Sequence, residues 1–319
     1  MDKQTVTGIH HVTALADDAQ KNIDFYTGIL GLRMVKKTIN FDAPNVYHLY
    51  YGNEQGMPGT IMTFFPYSGL ARGRHGKGQM TVTSFSVPEE SMEYWQKRLA
   101  KFNVQFSRPE QRFGAETFIY FKDVHGLGLE LVFNKDDDRP AFSYGQIPIE
   151  NSIRGFYGVT LCEEGYERTA GLLQEGLDHK LMAEKGNRFR YSASGKPGDF
   201  VDILCAPDEM RGLGGSGTIH HLAFATPDDA TQLKIRDKLL AMGLNVTPVM
   251  NRQYFHSIYF REPGGILFEV ATLPPGFAID EDIAELGSHL KLPSWLESSR
   301  SEIEKGLQPV KIQTDKFMD

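Results

Sequence analysis

Gly8-Ile9-His10-His11-Val12 recurs near the other end of the chain as Thr218-Ile219-His220-His221-Leu222. Both stretches read as β-strands, in which successive side chains face opposite ways, so strict alternation lets only one histidine of each pair face a given cavity. Asp17 or Asp18 suits the N-cap of a helix after the first stretch. His11 lies seven residues before Asp18, and His221 seven before Asp228. That shared spacing makes the second histidine of each pair the equivalent, inward one.

Working outward, the first unit continues from its strand into a helix with Ile23, Tyr26 and Leu30 on one face, stopped by Gly31. Three strand-like runs follow, around residues 34–40, 47–51 and 60–65. The order βαβββ repeats four times at a period of roughly 50–60 residues, over residues 7–66, 79–134, 153–206 and 217–272. This predicts an α+β fold of four βαβββ modules paired into two cup-shaped sheets. The polar stretch 134–152, with its Asp136-Asp137-Asp138-Arg139-Pro140 run, reads as a solvated linker between an N-terminal pair of modules (1–150) and a C-terminal pair (151–319). The tail 273–319 is expected on the outside or at a homo-oligomer contact.

Equivalent positions of the four modules locate a site. Aligning their first strands superposes His11, Val82, Gly158 and His221. Aligning their last strands on Gly59, Gly126, Gly198 and Gly265 superposes Thr63, Glu130, Asp202 and Glu269. Modules one and four therefore combine two imidazoles and one carboxylate, with Thr63 where a fourth ligand would stand. Modules two and three supply carboxylates without an imidazole, which predicts a structural or vestigial cavity. A carboxylate in an apolar strand such as Gly265–Val270 is costly to bury without a cation. Two histidines and one carboxylate with open positions suit non-haem Fe(II) and O₂, with Mn(II) as the other ion to consider. Metal ligands are thus expected at His11, His221 and Glu269, and no organic cofactor is required.

Composition narrows the function classes. The 319 residues carry a formal charge of −7, which argues against a nucleic-acid surface. The one basic run, Arg72-Gly73-Arg74-His75-Gly76-Lys77, reads as a solvated loop or a gate. No stretch is apolar for long enough to span a membrane and residues 1–4 carry no signal-like core, so a soluble, cytoplasmic protein is expected. The two cysteines, Cys162 and Cys205, lack metal spacing and read as buried thiols. Gly212–Gly217 fits a dinucleotide-binding pattern but precedes a strand instead of joining a strand to a helix, so it reads as a flexible lead into module four.

Ile9-His10-His11-Val12-Thr13, Asp24–Leu32 and Glu262–Glu269 resemble the vicinal oxygen chelate superfamily, whose paired βαβββ modules curl around a metal. More narrowly, Tyr47–Tyr50, Thr218–His221, Asn251–Phe255 and Ser257–Tyr259 resemble its hydroquinone-cleaving ring dioxygenases. This resemblance implies a small aromatic substrate and O₂, iron on His11, His221 and Glu269, and His10, Arg252 and Tyr259 around the substrate. Proton transfer is expected from Tyr259, His256 or His220, and oxyanion stabilisation from Arg252. His256 departs from the acidic residue that a member of this group carries. Two other readings stand beside it: a Zn²⁺- or Ni²⁺-dependent isomerase or lyase of the glyoxalase type, which needs four protein ligands, and a metal-free protein that sequesters an aromatic or a quinone.

Overall fold

The apolar run after Thr7 forms β1 (Gly8–Ala16), and Asp18 starts the next helix by accepting the Lys21 N–H at 3.0 Å. The described residues of the computed structural model are 5–114 and 116–319. Helix α1 (Ala19–Ile23) widens into a π-helical turn over Asp24–Ile29, where the Leu30 N–H reaches back to Phe25 O at 3.0 Å. The wider turn shifts the helical phase, so Phe25, Tyr26, Ile29 and Leu30 are all buried, more than a regular helix face would bury. Strands β2 (Arg33–Asn40), β3 (Ala43–Gly52) and β4 (Ile61–Pro66) complete the first module.

The same order repeats. Module two is β5 (Gln79–Pro88), α2 (Met92–Lys101), β6 (Glu110–Arg112), β7 (Glu116–Lys122) and β8 (Gly128–Asn134). Module three is β9 (Gly155–Glu163), α3 (Glu167–Gly171), β10 (Lys180–Lys185), β11 (Arg188–Ser192) and β12 (Phe200–Cys205). Module four is β13 (Ile219–Thr226), α4 (Asp229–Ala241), β14 (Met250–Asn251), β15 (Phe255–Arg261) and β16 (Leu267–Pro275). Asp228 caps α4 by accepting from the Thr231 N–H at 2.8 Å, as Asp18 caps α1.

Among the described residues these strands form two eight-stranded sheets, ordered β14-β15-β16-β13-β1-β4-β3-β2 and β10-β11-β12-β9-β5-β8-β7-β6. In each module the first strand runs parallel to the last, and two first strands meet antiparallel at the sheet centre, β1 with β13 and β5 with β9. One sheet thus joins modules one and four, and the other joins two and three. The sheets are tied by backbone hydrogen bonds from Ile9 to Gly198 O (3.0 Å) and from Phe156 to Gly59 O (2.7 Å).

Two polar segments differ from their sequence reading. In the linker, the Asp137 side chain is buried and grips Arg139, whose guanidinium inserts between the sheets toward Gly59 O and Phe156 O, so this charge binds structure together instead of merely being solvated. In the tail, Asp280 and Glu281 both reach the fully buried Lys36 Nζ at 2.7 Å. Phe317 lies so close to Gly28 that a Cβ there would sit 2.4 Å from the ring, which requires glycine. The tail therefore packs on the first module of its own chain. Cys162 is buried, Cys205 half-buried, and both are free thiols. No helix among the described residues is long and apolar enough to cross a membrane.

Candidate metal centre and substrate cavity

The pairing of β1 with β13 is irregular at two points. The register steps from Ile9↔Phe224 to His11↔Ala223, leaving His10 as an extra residue, and from Thr13↔His221 to Ala14↔Ile219, leaving His220 as another. These bulges break strict alternation. His10 Nδ1 consequently lies 2.9 Å from His11 Nδ1, and His220 Nδ1 lies 2.8 Å from His221 Nδ1. The expectation that only one histidine of each pair reaches the site is corrected here: His220 and His221 both line the same cavity. His10 stays buried behind His11 with its ring edge against Phe255.

His11, His221 and Glu269 converge. Their Nε2 atoms lie 3.1 Å apart, and Glu269 Oε2 is 3.4 Å from one and 3.0 Å from the other. All three residues are buried, Glu269 completely. Glu269 Oε1 accepts from Ser257 Oγ, while Oε2 has no hydrogen-bond donor aligned to it. With the Nδ1 protons of His11 and His221 donated to the imidazoles behind them, both Nε2 atoms present lone pairs. In that tautomer two lone pairs and a carboxylate oxygen converge on one point, the donor set that a divalent cation takes up. Atoms bound at right angles to one ion at about 2.1 Å lie about 3 Å apart, so the triangle fits such an ion.

Electrostatics keep this donor set in its binding form. Burial alone would raise the Glu269 carboxyl, but the neighbouring His11 and His221 hold it well below the usual carboxylate range. Burial lowers His221, and it lowers His10 and His220 to about 3, helped in each by the adjoining histidine. The flanking imidazoles are thus neutral and able to accept the Nδ1 protons.

A cavity of ≈ 200 Å³ opens beside His11 and His221. That is enough for one substituted ring, since a cavity of about 150 Å³ accepts benzene. Phe41, Phe65 and Phe255 give it apolar walls, and Asn40, Tyr67, Arg252 and Tyr259 give it polar ones. The Arg252 Nε–H donates to Tyr259 Oη at 3.0 Å, and its guanidinium also meets Asp42 at 3.2 Å. Burial, then Glu269, pushes the Tyr259 phenol far up against a partial offset from Arg252, so it keeps its proton.

His256 is placed elsewhere. On β15 the side chains of Ser257 and Tyr259 turn inward, whereas His256 Nδ1 lies 2.7 Å from Asp229 Oδ1 on α4. Alternation along the strand puts it on the outer face, so its expected part in proton transfer does not fit its position.

Sequence reading passed over His48 and Tyr50. His48 Nε2 lies 2.9 Å from Thr63 Oγ1, and Tyr50 Oη lies 2.8 Å from His48 Nδ1. Thr63 also shares a hydrogen bond with Thr13 at 2.8 Å. Burial, then His11 and His221, holds His48 well below its ordinary value. The available signal was the two-residue spacing of His48 and Tyr50, which sets both on the face of β3 that looks at Thr63.

The other sheet shows what a cation-free cup requires. Glu130 accepts from Ser84 (2.6 Å) and from both terminal nitrogens of Arg112 (3.1 and 2.8 Å). Asp202 accepts from Arg190 at 2.6 and 2.9 Å and from Arg188 at 3.1 Å, and Glu116 bridges Arg112 and Arg190. Arginines neutralise Glu116, Glu130 and Asp202 there. Glu269 has no arginine partner.

Comparison with known proteins follows the same lines. The sequence pattern of the Glyoxalase/Bleomycin resistance protein/Dioxygenase superfamily matches residues 8–131 and 158–270. The chain is 46% identical to the provisionally named ring-cleaving dioxygenase MhqO of Bacillus subtilis (strain 168), over 98% of this chain and 99% of that protein. It is 33% identical to the chlorohydroquinone/hydroquinone 1,2-dioxygenase of Sphingobium indicum, over 94% of this chain and 95% of that protein. The crystal structure of a provisionally named dioxygenase from Bacillus subtilis superposes with a TM-score of 0.93 at 45% identity, covering 98% of this chain and 99% of the other.

Proposed function

Because this chain belongs to the Glyoxalase/Bleomycin resistance protein/Dioxygenase superfamily, we propose that it is a non-haem Fe(II) ring-cleaving dioxygenase that opens a hydroquinone with both atoms of O₂. The observation that carries this reading is the buried His11–His221–Glu269 triangle, with its unpartnered carboxylate oxygen, beside a ring-sized cavity. The name of MhqO supports ring cleavage, and that of the Sphingobium indicum enzyme supports the choice of substrate.

His11, His221 and Glu269 hold the metal. Bound there, Fe(II) supplies Lewis acidity toward a ring hydroxyl and the one-electron chemistry that lets O₂ react with an aromatic ring. The remaining steps belong to the protein. His10 and His220 accept the Nδ1 protons of His11 and His221 and so aim both Nε2 lone pairs at the centre. Phe65 and Phe255 flank the ring and limit water. Tyr259, protonated and fixed by the Arg252 Nε–H, gives its proton to oxygen on the substrate as the ring opens. Arg252 balances the negative charge that gathers on that oxygen. Mn(II) suits the same ligands and is the alternative ion.

Protein loaded with Fe(II) without air, then supplied with O₂ and a panel of hydroquinones and catechols in an oxygen electrode, tests the proposal. One O₂ consumed per hydroquinone, with loss of aromatic absorbance, is expected. No uptake with any hydroquinone by fully loaded protein would refute it.

A further inference from the structure

Thr13 on β1 sits opposite the ligand His221 on one side and opposite Thr63 on the other. Thr63 therefore marks the level of the metal centre on β4. Alternation turns Phe65 and Tyr67 to the same inner face, at two successive steps of roughly 6–7 Å away from that level. The ladder continues past the end of β4, because Tyr67 N–H donates to Ala16 O at 2.9 Å. Phe65, Tyr67 and Asn40 all border the cavity beside the triangle. Tyr67 and Asn40 thus stand at an end of it that is remote from the metal.

Hydrogen bonds set the polarity of this end. Asp42 N–H donates to Asn40 Oδ1 at 3.0 Å, which orients the amide so that its Nδ2 donates to Tyr67 Oη, also at 3.0 Å. Having accepted there, Tyr67 keeps its own O–H, which meets no acceptor among the described residues. Other polar groups along the cavity are committed. His48 accepts from Tyr50 and gives its Nε2–H to Thr63, and Arg252 is shared between Tyr259 and Asp42. Asn40 is buried and Tyr67 half-buried. Water reaches the Tyr67 hydroxyl while the cavity is open. A ring that fills the cavity displaces this water, so it must supply an acceptor there or leave a donor unpaired.

We propose that Tyr67, held by Asn40, is the residue that selects hydroquinones, its O–H donating to the ring hydroxyl that does not bind the metal. A hydroquinone carries its two hydroxyls at opposite ends of the ring, so with one at the metal centre the other points away from it, toward Tyr67. A catechol carries them side by side and brings no oxygen to this end. The assignment rests on the hydroquinone reading of the His11–His221–Glu269 centre and adds the group that prefers para over ortho hydroxyls.

Titration calorimetry without air tests it in the absence of turnover, with the Fe(II)-loaded full chain and two probes, hydroquinone and phenol, the second of which lacks the distal hydroxyl. The parent protein should bind hydroquinone about tenfold more tightly than phenol, the weight of one hydrogen bond in a site closed to water. Tyr67→Phe should bring the two affinities close together while leaving that for phenol unchanged, which also shows that the variant keeps its site. Asn40→Ala should narrow the gap by less, since Tyr67 keeps its hydroxyl and loses only the donor that fixes it. Equal binding of both probes by the parent would overturn the assignment. So would a ratio that Tyr67→Phe leaves as it was, including a fall of both affinities together. Binding of neither probe by loaded protein would overturn the hydroquinone reading and this assignment with it, whereas an unchanged ratio in a variant that still binds hydroquinone overturns the assignment alone.

Discussion

At the scale of single residues, the proposed reaction depends on what each side chain near Glu269 can do with a proton. Tyr259 is raised by burial and held by Arg252, so it is a donor and not a phenolate. Tyr259→Phe should lower kcat by about 10²-fold or more, the usual weight of a positioned acid or base. Metal content should stay unchanged, because Tyr259 is no member of the triangle. Stopped-flow turnover together with metal analysis checks both halves, and unaltered turnover would remove Tyr259 from the reaction. His11, His221 and Glu269 were legible in the sequence as equivalent positions of a repeat, and the structure brings them within 4.8 Å of one another. His256 was misread because it was weighed by its residue type, although its odd spacing from Tyr259 on one strand sets the two on opposite faces. Only the outward turn of one and the inward turn of the other separates them.

At the scale of elements, the bulges at His10 and His220 and the arginines of the second sheet were the parts that the repeat pattern could not reveal. A bulge is a register mismatch between two strands far apart in sequence, and alternation within one strand carries no trace of it. Arg112 and Arg190 sit on β6 and β11, outside the aligned strands, so the carboxylates at Glu130 and Asp202 looked unpaired until the strands were assembled. They define a contrast that can be measured. Arg190→Leu leaves Glu116 and Asp202 buried beside a lost charge and should lower the unfolding free energy by about 3–5 kcal/mol. Adding Asp202→Asn should recover part of it. Denaturant midpoints report this, and metal content should be untouched, since the change lies in the other sheet.

At the scale of the whole molecule, the fold was legible because four modules repeat one hydrophobic and glycine pattern, whereas the packing of the tail on β2 and of Arg139 between the sheets depends on long-range pairs. Stability should also carry a pH signature from outside the site. Burial, then the neighbouring Glu262, pushes Glu163 up to about 8. The folded chain therefore binds this proton more tightly than the unfolded chain does. The resulting stabilisation is complete below the ordinary value of 4.5 and is lost as pH rises toward 8. Glu163→Gln should flatten that decline relative to the parent protein, as read from melting temperatures between those limits. Parallel curves for the two proteins would show that Glu163 does not titrate in this range.

The central claim, that the His11–His221–Glu269 centre inserts both atoms of O₂ into an aromatic ring, is tested most directly by ¹⁸O₂ labelling of a single turnover with Fe(II)-loaded protein and hydroquinone. Mass spectrometry should find an open-chain product carrying two labelled oxygens, after correction for exchange of the aldehyde oxygen with water. An intact quinone as the product, with the label recovered in hydrogen peroxide or water, would contradict the account.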